Sequence, residues 1–283
     1  MFRKTIAKSI SIRGIGVFCG REINVKLCPS SSGTGIRIIR DDIKEHNIFQ
    51  VDRFAKYDTE HLNTTILNDK NMVKLVEHLI SAIWCFKITD MDIHTDCDEL
   101  PMLDGSACGW VKLFESAGIK EFEEKKDYKY ISKEVKYEEV EKYIIAKPCD
   151  HLRITYTIDF DEKTIGKNSF TFDENLHSYV KELSYARTFC TEKQVDNHIK
   201  IKKAFTNDDI IIFGDDKILS PSNTGLRYSN EATRHKVLDL IGDLTSSGDY
   251  ICGEFICYKT GHFSNRKLLD VLYGEKDILI SRD

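Results

Sequence analysis

The chain has 283 residues, a formal net charge of −5, and a composition of 41% hydrophobic and 31% charged residues. This length suits one large domain or two compact ones. Without a basic excess to neutralise phosphates, general nucleic-acid binding is excluded. Four prolines and 16 glycines argue against long linker-like stretches. The nine cysteines show irregular spacing and no CxxC pair, and they read as reduced thiols. No apolar run approaches the length of a membrane span, and the N-terminus lacks an apolar core before a small-residue cleavage site. A cytoplasmic protein, not integral to a membrane, is expected; no motif indicates a protein partner.

In chain order, Ser9–Arg13, Glu22–Leu27 and Gly35–Ile39 alternate apolar and polar positions and predict strands. Leu75–Phe86 predicts a buried helix, Asp90–Thr95 a strand, and Leu100–Ser106 a turn into a second helix, Ala107–Ala117. The charge-dense stretch Lys120–Tyr130 predicts a crossing between cores, which divides the chain at 1–124 and 125–283. Beyond it, strands are predicted at Lys129–Lys136, Tyr143–Ala146, His151–Phe160, Asn168–Phe172, Ile210–Phe213 and Phe255–Lys259. Helices are predicted at Glu174–Leu183, Glu192–Lys200, Glu231–Thr245 and Asn265–Tyr273. Each half thus combines strands with a pair of helices. The fold class read from this is α+β: two similar domains, each a small mixed or antiparallel sheet, packed as a sandwich with helices in the middle.

Four segments carry chemistry. In Arg234–Asp243, residues His235, Asp239 and Asp243 recur at every fourth position, so a helix presents them on one face. Imidazole and carboxylate so spaced can grip a cation; an ordinary His–Asp hydrogen bond fits the pattern equally well. Glu77-His78 lies in an otherwise apolar helix, where charged groups are seldom buried unless paired or metal-bound. Alternatively, the pair sits at that helix's solvent edge. His262 follows a strand-ending Lys259-Thr260-Gly261, and Thr188 lies between Arg187 and Phe189. Alone, each of these two is compatible with an ordinary loop.

Together these segments resemble the UDP-3-O-acyl-N-acetylglucosamine deacetylase family, zinc enzymes of the committed step of lipid A synthesis. The resemblance covers nearly the whole chain. It runs from Gly14-Ile15-Gly16 through Val76-Glu77-His78-Leu79 and Leu100–Ala107. It continues through Thr157-Ile158-Asp159-Phe160, Ala186–Phe189, Gly225-Leu226-Arg227, Arg234-His235-Lys236 and Gly242-Asp243-Leu244 to Gly261-His262. The chain ends soon after its last helix, so the dehydratase domain fused to some family members is not expected.

The resemblance implies a zinc ion, with iron(II) as the alternative, on His78, His235 and Asp239. It implies Glu77 as general base, His262 as acid or electrostatic support, Asp243 as its orienting partner and Thr188 as oxyanion donor. Lys236 is implied as an anchor for the substrate, with Phe160 and Phe189 lining the nucleotide-sugar and acyl region. The implied substrate is a UDP-linked acylated amino sugar. Departures from the family pattern touch recognition. Phe18 stands where the family has histidine, Cys190 where it has glycine, Gln194 where it has an acid, and Lys202-Lys203-Ala204-Phe205 where it has a glycine-rich segment. Two alternatives follow: a related deacetylase of another N-acetylated amino sugar, and a non-catalytic binding homologue. The complete set of acid, base and ligand residues argues against the second.

Overall fold

The computed structural model describes residues 1–58, 62–68, 70–197, 210–220 and 224–282. The fold is α+β, in agreement with the sequence pattern. Its described helices are α1 (Glu77–Phe86), α2 (Cys108–Ala117), α3 (Tyr179–Glu182), α4 (Glu192–Asn197), α5 (Glu231–Thr245) and α6 (His262–Gly274). Among the described residues no helix is long and apolar enough to cross a membrane.

A five-stranded sheet has the order Ile10–Ile15, Glu22–Pro29, Met91–Thr95, Ile36–Arg40, Ile48–Val51. Its period-two pattern is clean in Glu22–Pro29: Ile23, Val25 and Leu27 are buried, while Glu22, Asn24 and Lys26 face solvent. The sequence reading lacked Ile48–Val51 and the three-stranded meander Lys56–Asp58, Thr65–Asn68, Asn71–Val73. These strands have three or four residues each, too few to establish a period. The charged segment near residue 120 is itself a strand, Ile119–Lys125, antiparallel to Phe2–Ile6. It is almost wholly exposed, and its charges suit an edge ladder that discourages further pairing.

A seven-stranded sheet is organised around Ile251–Tyr258. That strand pairs antiparallel with Lys142–Lys147 and parallel with Leu152–Asp159, which in turn pairs with Lys167–Asp173. The expected strand Lys129–Lys136 is two strands, Lys129–Ile131 and Val135–Glu139. Between them Ser132 turns aside to donate through its N–H to the Ile278 carbonyl. The expected helix Glu174–Leu183 is a turn followed by the short α3. The Asp173 carbonyl accepts from the N–H groups of Leu176 and His177, its side chain accepts from Asn175, and Ser178 caps α3 through the Lys181 N–H. This local capping competes with helix over 174–177. The helix expected at Glu192–Lys200 is described as far as Asn197, and Thr191 and Gln194 close its start with reciprocal hydrogen bonds. Residues 198–200 and the Lys202–Phe205 segment lie outside the described residues.

α1 and α5 pack against each other, and α5 also contacts Leu152–Asp159 and Lys167–Asp173. α1 is buried from Glu77 through Trp84, as expected of a helix covered on all sides. The crossing is close because α5 carries Gly242: a Cβ there would lie 2.3 Å from the Glu77 carbonyl oxygen. Ser81 is satisfied across the same interface, its Oγ 2.9 Å from the Leu238 carbonyl. Buried apolar residues form one continuous cluster, from Ile23, Ile38 and Ile93 through Leu79 and Leu238 to Tyr156 and Phe255. A smaller cluster joins Val17, Leu75 and Met102, with Phe18 packed on it.

Candidate active site

The starts of α1 and α6 each follow a residue in the left-handed region, Leu75 (φ 59°) and Lys259 (φ 56°). That conformation costs a non-glycine residue about 1–2 kcal/mol and is met where surroundings dictate it. In each case it swings the chain from an extended run into a helix whose first turn carries site residues. α1 opens with Glu77 and His78, and α6 opens with His262. The sequence reading began α6 three residues late, which had left His262 on a loop.

α5 brings His235 and Asp239 opposite His78. His235 Nε2 lies 3.2 Å and His78 Nε2 3.7 Å from Asp239 Oδ1. The ligand atoms of all three lie within 4.8 Å of one another, and all three side chains are buried. Asp239 Oδ1 accepts no hydrogen bond among the described residues. A buried carboxylate oxygen left without a donor is costly, and two imidazole nitrogens facing it cannot offset that cost while neutral and unprotonated. A divalent cation held by these donors would resolve all three groups at once. His235 Nδ1 lies 3.0 Å from the Ala186 carbonyl, which fixes its N–H there and leaves Nε2 as the donor atom. Burial, reinforced by His235, pushes His78 down to about 3, so its ring is neutral. Burial would raise Asp239, but His235, Lys236 and His262 outweigh it and hold the carboxyl well below its ordinary range. The residues present therefore fit a metal ion.

Across from this group stand a carboxyl and a cation. Glu77 Oε1 is 4.0 Å from His262 Nε2, and Glu77 Oε2 accepts from the Thr64 N–H at 3.0 Å. Burial pushes Glu77 up to about 7, opposed by His262 and aided by Asp239 and Asp243. Burial acts to lower His262, but Asp243 and Asp239 prevail and raise it to about 9. Asp243 sits behind that ring: its Oδ2 is 2.8 Å from His262 Nδ1 and accepts from Asn265 Nδ2, while its Oδ1 accepts from Thr64 Oγ1. Thr64 and Asn265 were not singled out from the sequence.

These groups open on a cleft of about 530 Å³. Thr188, Phe160, Phe189 and Lys236 line it together with Glu77, His78, His235, Asp239 and His262; Asp243 does not. Phe160 and Phe189 meet edge to face at 5.7 Å between ring centroids. Lys236 is paired with Asp239, its Nζ 2.9 Å from Oδ2. Of the departures, Gln194 lines the cleft, and Cys190 is buried beneath it against the Ile211 carbonyl. Phe18 stands back from the cleft, behind Leu75 and Met102, which line it.

A buried Arg187–Glu231 pair supports the floor. Glu231 accepts from Arg187 Nε at 2.8 Å, from the Arg187 N–H and from the Arg227 N–H. It thereby ties the Ala186–Thr188 segment to the first turn of α5.

Comparison with known proteins identifies the family. Residues 3–274 match the family described as UDP-3-O-acyl N-acetylglycosamine deacetylase. The chain is 35% identical over 270 residues to the UDP-3-O-acyl-N-acetylglucosamine deacetylase of Campylobacter hominis, covering 95% of this chain and 90% of that one. It is 36% identical over 277 residues to the protein of the same name from Pseudoalteromonas atlantica, with the same coverage. The chain belongs to the UDP-3-O-acyl N-acetylglycosamine deacetylase family.

Proposed function

We propose that this protein hydrolyses the N-acetyl group of UDP-3-O-acyl-N-acetylglucosamine, releasing acetate and the free amine, the committed step of lipid A synthesis. The observation that carries this reading is the convergence of two imidazoles and a carboxylate oxygen without a hydrogen-bond partner among the described residues, opposite Glu77 and His262. His78, His235 and Asp239 would hold zinc, or iron(II) in its place. When bound, the ion supplies Lewis acidity to the amide carbonyl and to the attacking water. Glu77 takes the proton from that water. Thr188 donates its hydroxyl to the oxygen that gains charge. His262 enters protonated, steadies that charge and delivers its proton to the leaving nitrogen, while Asp243 and Thr64 hold the ring. Lys236 anchors a substrate oxygen or phosphate, and Phe160 and Phe189 pack on the sugar-nucleotide and acyl region.

The test is acetate release from UDP-3-O-acyl-N-acetylglucosamine by metal-loaded protein, with Glu77→Ala as control. Release that is lost in the control supports substrate and base together. Full activity of Glu77→Ala would refute the base assignment. A second reading, deacetylation of a different N-acetylated amino sugar, is favoured by Gln194 standing on the cleft wall in place of an acid. Comparing the acylated UDP-sugar with simpler N-acetyl sugars separates the two.

We further infer a division into units 1–124 and 125–283. Its support is that the five-stranded sheet draws only on residues 10–95 and the seven-stranded sheet only on residues 129–280. A cytoplasmic location is supported by nine free thiols, which reducing compartments preserve.

A further inference from the structure

Cys19 and Cys97 are 78 residues apart in sequence, and their sulfurs lie 3.7 Å from each other. Cys19 is exposed, in the turn that leads into the strand Glu22–Pro29; Cys97 is fully buried, just past the strand Met91–Thr95. Both backbones are pinned without help from the sulfurs. The Glu99 carboxylate accepts from the N–H groups of Phe18 (3.1 Å) and Cys19 (3.3 Å). Asn24 donates to the Asp96 carboxylate through both its N–H (2.9 Å) and its side chain (2.7 Å). Arg21 donates to the Asp96 carbonyl, and its guanidinium lies against Cys97 and Cys19, which hold it above its ordinary value. A disulfide needs sulfurs about 2.05 Å apart, so each Sγ must travel about 0.8 Å, a χ1 rotation of roughly 30°.

We propose that Cys19 and Cys97 form a thiol–disulfide exchange site, which takes a low-molecular-weight disulfide of the glutathione disulfide class and ends as a reversible Cys19–Cys97 cross-link. Cys19, being exposed, enters first. Its thiolate attacks one sulfur of the reagent: a Cys19–reagent S–S bond forms, the reagent's S–S bond breaks, and one thiolate leaves with the electron pair. The Cys97 thiolate then attacks Cys19 Sγ and expels the second. Two protein thiols are oxidised, and two electrons and two protons leave as two small thiols. Arg21 compensates the charge of the attacking sulfur. Burial, and then the neighbouring Glu99 carboxylate, push the Cys19 thiol up to about 11, which slows the first step near neutrality. The second step is intramolecular between groups already in contact and is fast by comparison.

The cross-link closes a loop that contains Glu77 and His78 without touching any metal-binding atom. It also fixes the turn whose Val17 and Phe18 pack on Leu75 and Met102, two residues of the cleft wall. Closing so long a loop favours the folded state.

The experiment treats the full metal-loaded chain with glutathione disulfide at mildly alkaline pH. Acid quenching, alkylation, digestion and peptide mass spectrometry follow. The wild type is expected to give one linked peptide pair, Cys19 to Cys97, reversed by dithiothreitol, together with a rise of several degrees in the unfolding midpoint. Cys97→Ser is expected to retain glutathione on Cys19, and Cys19→Ser to leave Cys97 unmodified. A wild type in which glutathione stays on Cys19, or in which both cysteines remain open to alkylation after denaturation, would overturn the proposal. Neither result bears on the deacetylase reading.

Discussion

Gly242 approaches the backbone of Glu77 so closely that a Cβ on the glycine would stand 2.3 Å from the Glu77 carbonyl oxygen and 3.0 Å from its carbon. The two helices that carry Glu77-His78 and His235-Asp239 are therefore in contact at a point where only hydrogen fits. Gly242→Ala must move them apart by roughly 1 Å to restore ordinary van der Waals separation. Overpacking of this kind costs about 1–3 kcal/mol. Misplacing reacting groups by 1 Å can cost about 100-fold in rate. The expected outcome is a folded protein by circular dichroism with acetate release down about 100-fold.

Metal removal tests the donor set without substrate. A ligand that binds only the folded state stabilises it by about 4 kcal/mol when its free concentration is about 1,000 times Kd. Chelation is therefore expected to lower the unfolding midpoint and abolish acetate release, and zinc to restore both. His235→Ala is expected to hold no stoichiometric metal and to melt at the same temperature with or without chelator. A midpoint in that variant that still responds to zinc would place the metal elsewhere.

Glu231 accepts four hydrogen bonds from the Arg187 and Arg227 segments while fully buried. Glu231→Gln leaves Arg187 as an unpaired buried charge, a defect of about 3–5 kcal/mol. Denaturant unfolding measures the loss. Because Ala186 presents its carbonyl to His235 Nδ1, metal affinity is expected to fall as well; unchanged affinity would show that His235 holds its orientation without that segment.

Acid stability follows from Asp90. Its carboxylate is fully buried, and burial alone would raise its pKa. Two bonds from Arg3 (2.9 and 2.7 Å), one from Thr89 Oγ1 and one from the Gly35 N–H outweigh that and hold it below the ordinary value. A carboxyl depressed in the folded state contributes stability that is present above its unfolded pKa, near 3.9, and is lost as pH falls through the folded value. Asp90→Asn should be less stable than the wild type at neutral pH by about 2 kcal/mol. The gap should narrow as pH drops below about 4. Urea midpoints compared across that range check the sign.

The fold class and the candidate site residues were legible in the sequence, while several short strands and two neighbours of the candidate site were not. His235 and Asp239 are spaced at one helical turn, and Glu77-His78 interrupts an apolar helix, so both stood out before any geometry was known. Thr64 did not, although it touches Glu77, Asp243 and His262 at once. It lies between Asn63 and Thr65, just before a four-residue strand, where a hydroxyl residue carries no periodic signal. Asn265 was hidden for a different reason: with the last helix read as starting there, nothing placed it one turn beyond His262 and facing Asp243. The segment 174–183 failed because its helix-favouring composition is overridden by Asp173, whose backbone and side chain both capture the N–H groups that follow.

His78 belongs to α1, whereas His235 and Asp239 belong to α5, more than 150 positions later in the chain. Neither stretch can coordinate a cation alone with the full set of donors. The proposed centre would therefore act as a coincidence detector for assembly: its three candidate donors come together only when two remote parts of the polypeptide have met in register at Gly242. A nascent chain released before residue 235 would carry Glu77 and only one of the three candidate donors, His78, and could not assemble the group.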